Sequence, residues 1–345
     1  MGSLRSADAG PNFSKGRSMR LKQLAVAIVA VGSMAAVSAC SGGDSGGGEG
    51  GGDSYSIGIS QLVQHPALDA ATSGFKKSFE DAGVEVDWDE QNANGEQANA
   101  TSIAQNFASS DLDLVLAVAT PAAQAAAQAI TDKPVLFTAV TDPVEAGLVQ
   151  SNEAPGGNVT GTSDLNPVAD QLQLVKDVKP DAKTVGIVYS SGEVNSQVQV
   201  DLAKEAAKGM GLEIKEATIA NSGELGQAVD SLGKVDAYYV PTDNNVVSAV
   251  TTMVQAAEKN KALLVGSEAG QVEQGAAITR GIDYTKLGEQ TGAMALKVLK
   301  DGAKPADLPV ETSDTLELVV NPEAAKRQGA EIPQNLIDEA DTVIE

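Results

Sequence analysis

From Tyr55 onward the chain alternates short β-rich runs with Ala-rich helical stretches, and it does so twice. Tyr55–Ser60 (YSIGIS) has strand composition, and Pro66–Ala82 spaces Leu68, Ala71, Phe75 and Phe79 along one helical face. Val84–Glu90 alternates apolar and acidic residues, as a strand with one wet face does. Glu96–Ser109 sets Ala100, Ile103, Ala104 and Phe107 at helical spacing, and Leu114–Val118 (LVLAV) reads as a buried strand. Thr120–Ile130 predicts a helix with Thr120 at the N-cap and Pro121 at its first position, and Val135–Phe137 is the fourth strand. Strands separated by helices return through crossovers and therefore pair in parallel, with helices on both faces of the sheet.

After Pro155-Gly156-Gly157 and Asn158–Thr162 the same grammar restarts. Lys183–Tyr189, Glu213–Thr218, Ala237–Val240 and Ala262–Val265 read as strands. Asn195–Gly209, Glu224–Leu232 and Asn245–Lys259 read as the helices between them. The Ala276–Ile282 strand, Tyr284–Leu299 helix and Glu317–Val320 strand are too few for a third domain, so they are expected to cross back and complete both sheets. The fold class expected is α/β, with two doubly wound parallel-sheet lobes joined by a multi-crossing hinge. Residues 55–160 with about 283–307 form the N-terminal lobe, and residues 161–282 with about 308–345 form the C-terminal lobe. The crossings fall near Asn158–Thr162, near Gly275–Asp283 and at a later strand.

Ahead of this pattern, Arg17, Arg20 and Lys22 precede an apolar run from Leu24 to Val37, which ends in Val37-Ser38-Ala39-Cys40. The run is too short for a permanent span, and the small residues before Cys40 form a cleavage site. Residues 1–39 read as a leader and lipoprotein signal peptide, the first 18 being an upstream extension or an unstructured leader. Cys40, the single Cys of the chain, is the expected lipidation site. Residues 40–54 are Gly-rich with scattered acids and form a flexible tether, roughly 45 Å when fully extended. The Gly43-Asp44-Ser45-Gly46-Gly47 string matches a protease nucleophile motif, but a tether supplies no rigid oxyanion loop.

The net charge is −23, and removing the basic leader makes the mature chain more acidic still. Such a surface repels nucleic acid and anionic headgroups, so neither is an expected partner, and lipid must hold the protein at the membrane. With Cys40 consumed no disulfide forms, so the fold rests on buried apolar surface, for which about 290 residues suffice.

In doubly wound sheets, ligands sit outside the carboxyl ends of the strands. The segments to inspect are therefore Ser60–Pro66, Gln91–Asn94, Ala119–Ala123, Thr138–Pro143, Ser190–Asn195, Pro241–Asn245 and Gly266–Gln271. They are polar and nearly free of aromatics. Loops are polar anyway, so the argument lies in seven of them converging. There is no G-x-G-x-x-G after a strand and no G-x-x-x-x-G-K-[ST], so no nucleotide cofactor is expected. One His and one Cys exclude His- or Cys-rich zinc sites. The pairs Asp111/Asp113 and Asp87/Asp89 have the spacing of solvated strand faces. No catalytic residue, metal or cofactor is expected, and the chain does not read as an enzyme.

A set of short motifs carries a resemblance. Gly58-Ile59-Ser60-Gln61 with His65-Pro66-Ala67-Leu68-Asp69, Ala119-Thr120-Pro121-Ala122-Ala123-Gln124, and Phe137-Thr138-Ala139-Val140-Thr141-Asp142-Pro143 resemble the ABC-transporter substrate-binding lipoproteins of the tryptophan/tyrosine-type uptake family. Gly156–Asp164 and Val240-Pro241-Thr242-Asp243-Asn244 do so too, and the likeness runs from about 55 to 330. It implies a type I periplasmic-binding-protein fold and a small ligand between the lobes, an aromatic amino acid in some members. One departure is Gly266-Ser267-Glu268-Ala269, where relatives more often carry Ser-Asp.

The candidate ligand contacts are Gln61, His65, Thr120, Ala122, Thr138, Ala139, Thr141, Asp142, Asp164, Asn195, Asp243, Asn244 and Glu268. Free backbone N–H groups at the helix start by Thr120–Ala123 suit a carboxylate, as does a second helix-like turn at Thr138–Thr141. Asp243, with Glu268 beside it in role, suits an ammonium. The reading is an extracytoplasmic lipoprotein, anchored on the outer face of the cell membrane and acting as a monomer. It captures a small zwitterion and hands it to an ABC permease with its ATPase. A lipid-anchored sensory receptor or a cleft hydrolase on the same fold are the alternatives. A sugar binder is another, against which the one Trp, Trp88, sits mid-strand rather than in a cleft loop.

Overall fold

The computed structural model describes residues 54–313 and 315–345. The leader, Cys40 and the tether up to residue 53 lie outside the described residues. The first half runs β1 (Ser54–Gln61), α1 (Pro66–Asp81), β2 (Glu85–Asn92), α2 (Gln97–Ser109), β3 (Leu114–Val118), α3 (Thr120–Ala129), β4 (Val135–Val140) and β5 (Val159–Ser163). The second half runs α4 (Val168–Val178), β6 (Thr184–Ser190), α5 (Val194–Met210), β7 (Glu213–Ile219), α6 (Leu225–Ser231) and β8 (Ala237–Val240). It continues with α7 (Asn244–Ser248), α8 (Val250–Asn260), β9 (Leu263–Gly266), α9 (Ala269–Glu273) and β10 (Ile278–Ile282). The closing segment is α10 (Tyr284–Asp301), β11 (Glu311–Thr312), β12 (Leu316–Val320), α11 (Pro322–Arg327), α12 (Gln334–Glu339) and β13 (Thr342–Val343).

Two sheets result, ordered β11-β5-β4-β3-β1-β2 and β13-β12-β10-β9-β8-β6-β7. Every pairing is parallel except that of β10 with β12. The central strands β3 and β4 are buried along their whole length, which explains why their sequences show no polar alternation. At the edge, β2 alternates as its sequence does, and Trp88 packs edge-on against Phe75 and Phe79 of α1.

The chain passes between the sheets at 164–167, at Asp283 and between β11 and β12. The first passage falls after the expected one, because residues 159–163 form β5, fully buried and paired with β4 and β11. Although α10 follows a strand of the second sheet, it is locked to α1. A Cβ added at Gly288 would lie 2.0 Å from the Ala71 carbonyl, and one at Gly74 would lie 2.1 Å from that of Thr285. Only glycine permits backbones that close.

Two further features depart from the sequence reading. The stretch 163–182 holds α4, with Leu172, Leu174, Val175 and Val178 buried at helical spacing that the sequence does display. The helix expected over 245–259 is broken at Ala249 into α7 and α8, because Ala249 leaves the helical region (φ −123°, ψ 26°).

Candidate functional site

Within each half the strand order is the same: β2-β1-β3-β4-β5 and β7-β6-β8-β9-β10. The order reverses direction beside β1 and β6, so the loops after β1 and β3, and after β6 and β8, diverge and leave a crevice at the strand ends. A small cavity of about 10 Å³ lies there. His65, Ala67, Leu68 and Ala139 line it from the first half, and Asn195, Thr242, Asn244, Val247 and Glu268 from the second. Asp164 and Tyr284, at two of the crossings, close it.

Of the thirteen candidate contacts, six line this cavity: His65, Ala139, Asp164, Asn195, Asn244 and Glu268. Most of the others are spent elsewhere, each for a local reason. Gln61 donates to the Val63 carbonyl and Asp69 and accepts from Thr72, so it ties the β1–α1 turn together. Thr138 accepts from Thr162, whose hydroxyl also pairs with Thr291. Thr141 donates to Asp164, and Asp142 accepts from the backbone N–H groups of Val144 and Glu145. The expected helix-like turn at 138–141 is instead the end of β4, with a register shift and Ala139 at φ 56°.

Thr120 is not the N-cap of α3. Ala119 holds that place at φ 82°, ψ 153°, and Thr120 is the first helical residue. Its hydroxyl is buried with no hydrogen-bond partner among the described residues, as is that of Ser60. Ala122 is buried behind it. The Ala119 N–H donates to the Thr138 carbonyl, which places the start of α3 one residue from Ala139 and the cavity wall.

Asp243 is the largest correction. Its carboxylate accepts from the Ser190 N–H and hydroxyl, the Ser196 hydroxyl and the Val246 N–H, and it does not line the cavity. It caps α7 and pins that helix to β6 and α5, with no bonding capacity left for an ammonium.

The acid that does face the cavity is Glu268, at the N-cap of α9. One carboxylate oxygen accepts from the Gly270 N–H at 2.6 Å, and the other is buried and unpartnered among the described residues. Burial pushes its pKa up to about 7, and the nearby Glu273 and Glu317 push the same way. Asp164, held by Thr141 and by Tyr284 at 2.6 Å, is likewise raised by burial. Neither ring nitrogen of His65 has a hydrogen-bond partner among the described residues, and burial lowers its pKa to about 4, against the opposing effects of Asn244 and Asp69. It is therefore neutral at neutral pH and offers one donor and one acceptor.

Sequence reasoning missed Tyr284, Thr242 and Glu193. Glu193 supports the site from behind: its carboxylate accepts from the side chains of Asn195, Asn244 and Asn245, and burial together with Asp243 raises its pKa to about 7. A loop acid followed by a helix was its only signal. Tyr284 had none, because it reaches the cavity through the hinge. Among the described residues no cluster of His, Cys, Asp or Glu is placed to hold a metal, and no helix is long and apolar enough to cross a membrane.

Comparison with known proteins gives concordant results. The sequence model of the family described as "ABC transporter substrate binding protein" matches residues 56–344. A tyrosine-binding protein of Clostridioides difficile (strain R20291) is 47% identical over 275 residues, covering 78% of this chain and 79% of that protein. A solved ABC domain from Streptococcus pneumonia, in complex with L-Trp, is 39% identical with a TM-score of 0.80, covering 84% of this chain and 100% of that one. The ligand-free, open structure of a Clostridium difficile substrate-binding protein with adhesive properties is 46% identical, with a TM-score of 0.65, covering 84% and 99%. The more similar sequence thus superposes less well when its structure is open. The architecture shared with these relatives is the type I periplasmic-binding-protein fold.

Proposed function

The chain belongs to the family of ABC transporter substrate-binding proteins, which bind solutes and are not enzymes, and we propose that it captures an aromatic amino acid between its two lobes and presents it to a membrane permease. In this reading Cys40 is lipidated and holds the protein on the extracytoplasmic face of the membrane, with the Gly-rich segment as tether. The observation that carries the ligand reading is a set of three buried polar side chains around one cavity, His65 from one lobe and Asn195 and Glu268 from the other. Each has an atom without a partner among the described residues. A buried polar group left unpaired costs about 1–3 kcal/mol, so a ligand that satisfies all three gains affinity only when both lobes surround it.

Glu268, with Asp164 nearby at the hinge, receives the ammonium of a zwitterion. The carboxylate lies toward the first lobe, where the hydroxyls of Ser60 and Thr120 have no partner among the described residues and α3 begins. The apolar walls at Leu68 and Val247 hold the side chain. Binding then acts by population shift: the ligand bridges the lobes in the closed arrangement only, so its contacts bias the protein toward it. The better superposition on the L-Trp complex than on the open relative supports reading this structure as the closed arrangement.

Calorimetric titration of ligand-stripped protein with the twenty common amino acids tests the proposal. Tyrosine or tryptophan should bind and raise the melting temperature by mass action. No binding by any amino acid would remove the zwitterion reading. Cys40→Ala should release the protein from membranes, and retention with unchanged lipid labelling would remove the anchor.

A further inference from the structure

The cavity has two chemically different ends. At one, Tyr284 donates to Asp164 and faces Glu268, so the groups gathered there are acids. At the other lie His65, Asn195, Thr242 and Asn244, all uncharged at neutral pH. The two ends stand apart across the second sheet. Glu268 follows β9 and Asn195 lies in the first turn of α5 after β6, with β8 between them, so the anchoring strands are two sheet spacings apart, about 10 Å.

Asn195 is held in one orientation by its surroundings. Its Nδ2 donates to the Glu193 carboxylate and to the Thr242 carbonyl, both at 3.0 Å. The Thr242 carbonyl can only accept, and the Glu193 carboxylate is itself fixed by the N–H donors of Asn244 and Asn245. Flipping the amide would set its oxygen against the Thr242 carbonyl oxygen, which can only accept, so the nitrogen must face inward. Oδ1 is left as a buried acceptor with no partner among the described residues, on a side chain that lines the cavity and is only 3% exposed.

We propose that Asn195 selects the ligand's side chain: its carbonyl oxygen accepts a hydrogen bond from an N–H or O–H at the far end of the ligand, so a phenol or an indole is bound in preference to a phenyl ring. This rests on the cavity being an amino-acid site. A carboxylate has no donor to offer this oxygen, and the ammonium is drawn to Glu268 at the opposite end. In tyrosine or tryptophan the ring hydroxyl or indole N–H lies beyond Cβ from the ammonium, so one ligand has a separate donor to offer each end. Neutral His65 adds a donor and an acceptor for the same group. A site built to hydrogen-bond a ligand donor discriminates strongly against the isostere that lacks it, because its own polar atom is then buried unpaired.

Calorimetric titration of the ligand-stripped full chain with L-tyrosine, L-tryptophan, L-phenylalanine and 4-methyl-L-phenylalanine tests this, on wild type and on Asn195→Ala. In wild type the tighter of tyrosine and tryptophan should bind at least about tenfold more strongly than either ligand lacking a ring donor. In Asn195→Ala that ligand should lose about tenfold or more, and phenylalanine less than about threefold. Wild-type binding of phenylalanine within threefold of the best ligand overturns the inference while leaving the amino-acid site intact. Equal losses on all four ligands in the variant overturn it too, since Asn195 would then hold the common ammonium end or support the fold. Binding of none of the four sinks the site reading and this inference together. If Asn195→Ala does not fold, the wild-type comparison of tyrosine with 4-methyl-L-phenylalanine, alike in shape but not in donors, decides alone.

Discussion

The two lobes share a strand order but treat the same topological place in opposite ways. After β3 in the first lobe, Ala119 takes a left-handed backbone and the Thr120 hydroxyl at the start of α3 has no partner among the described residues. After β8 in the second, Asp243 spends its whole carboxylate on capping α7 and holding Ser190 and Ser196. One helix start carries a hydroxyl with no partner among the described residues, and the other is closed from within. The second lobe also buries three acids around its strand ends, Glu193, Asp243 and Glu268, while the first, apart from Asp164 at the crossing after β5, contributes small residues, hydroxyls and a neutral imidazole. A buried polar residue at a strand end thus serves one of two ends, bracing the loop or meeting a ligand, and its unspent bonding capacity tells which.

The comparison is broken most directly at Asp243. Asp243→Ala strands two backbone N–H groups and two hydroxyls and removes the cap of α7. We expect the ligand-free protein to lose about 3 kcal/mol or more, seen as a fall in melting temperature of roughly 5–10 °C. Thermal unfolding of stripped protein measures it. A loss under about 1 kcal/mol, with ligand affinity reduced more than thirtyfold, would return Asp243 to the ligand and undo the contrast drawn above.

The same contrast shows how far the sequence could be read. Periodicity found nearly every strand, because fully buried runs such as LVLAV and alternating edges such as residues 84–90 differ visibly. It missed α4, whose Leu172 and Val175 were in plain helical register, because the Gly- and Asn-rich segment before it read as one continuous hinge. Most of the loops that line the cavity were legible from the doubly wound order alone. Which residue in each loop meets the cavity was not. Asp243 and Glu268 both follow short strands of the second lobe and both precede a helix, and only the three-dimensional positions of Ser190 and Ser196 decide that Asp243 is already occupied. Tyr284 illustrates the limit further: it reaches Asp164 across 120 residues of sequence, through a crossing that no local pattern encodes.

Glu268 offers the next largest effect and a pH signature. Glu268→Gln keeps an acceptor for the Gly270 N–H but removes the charge, and amino-acid affinity at pH 8 should fall about thirtyfold or more. Burial holds its folded pKa at about 7, above the ordinary 4.5, so between these values the folded protein keeps a proton that the unfolded chain has released. Its contribution to stability therefore declines as pH rises from about 5 to 7, and the variant loses that slope. Affinity runs the other way: an ammonium favours the ionised carboxylate, so wild-type binding tightens as pH rises toward 7 and a proton is released on binding. Glu193 titrates in the same range behind Asn195 and Asn244, so the difference between wild type and Glu268→Gln isolates the cavity acid. A variant with the wild-type pH profile of affinity would take the ammonium away from Glu268.

Thr120 gives the smallest effect and the sharpest test of the first lobe. Its hydroxyl is buried without a partner among the described residues, so in the ligand-free protein it costs stability rather than supplying it. Thr120→Val keeps the volume and β-branch and removes only the hydroxyl. The ligand-free protein should be unchanged or more stable by up to about 1 kcal/mol, where a true capping Thr would lose about that much when replaced. Affinity for the amino acid should fall about three- to tenfold, the value of one hydrogen bond to a carboxylate whose other donors remain on the backbone. Chemical denaturation and calorimetry on one preparation give both numbers. Lower stability with unchanged affinity would make Thr120 a brace like Asp243, and the two lobes would then treat their helix starts alike.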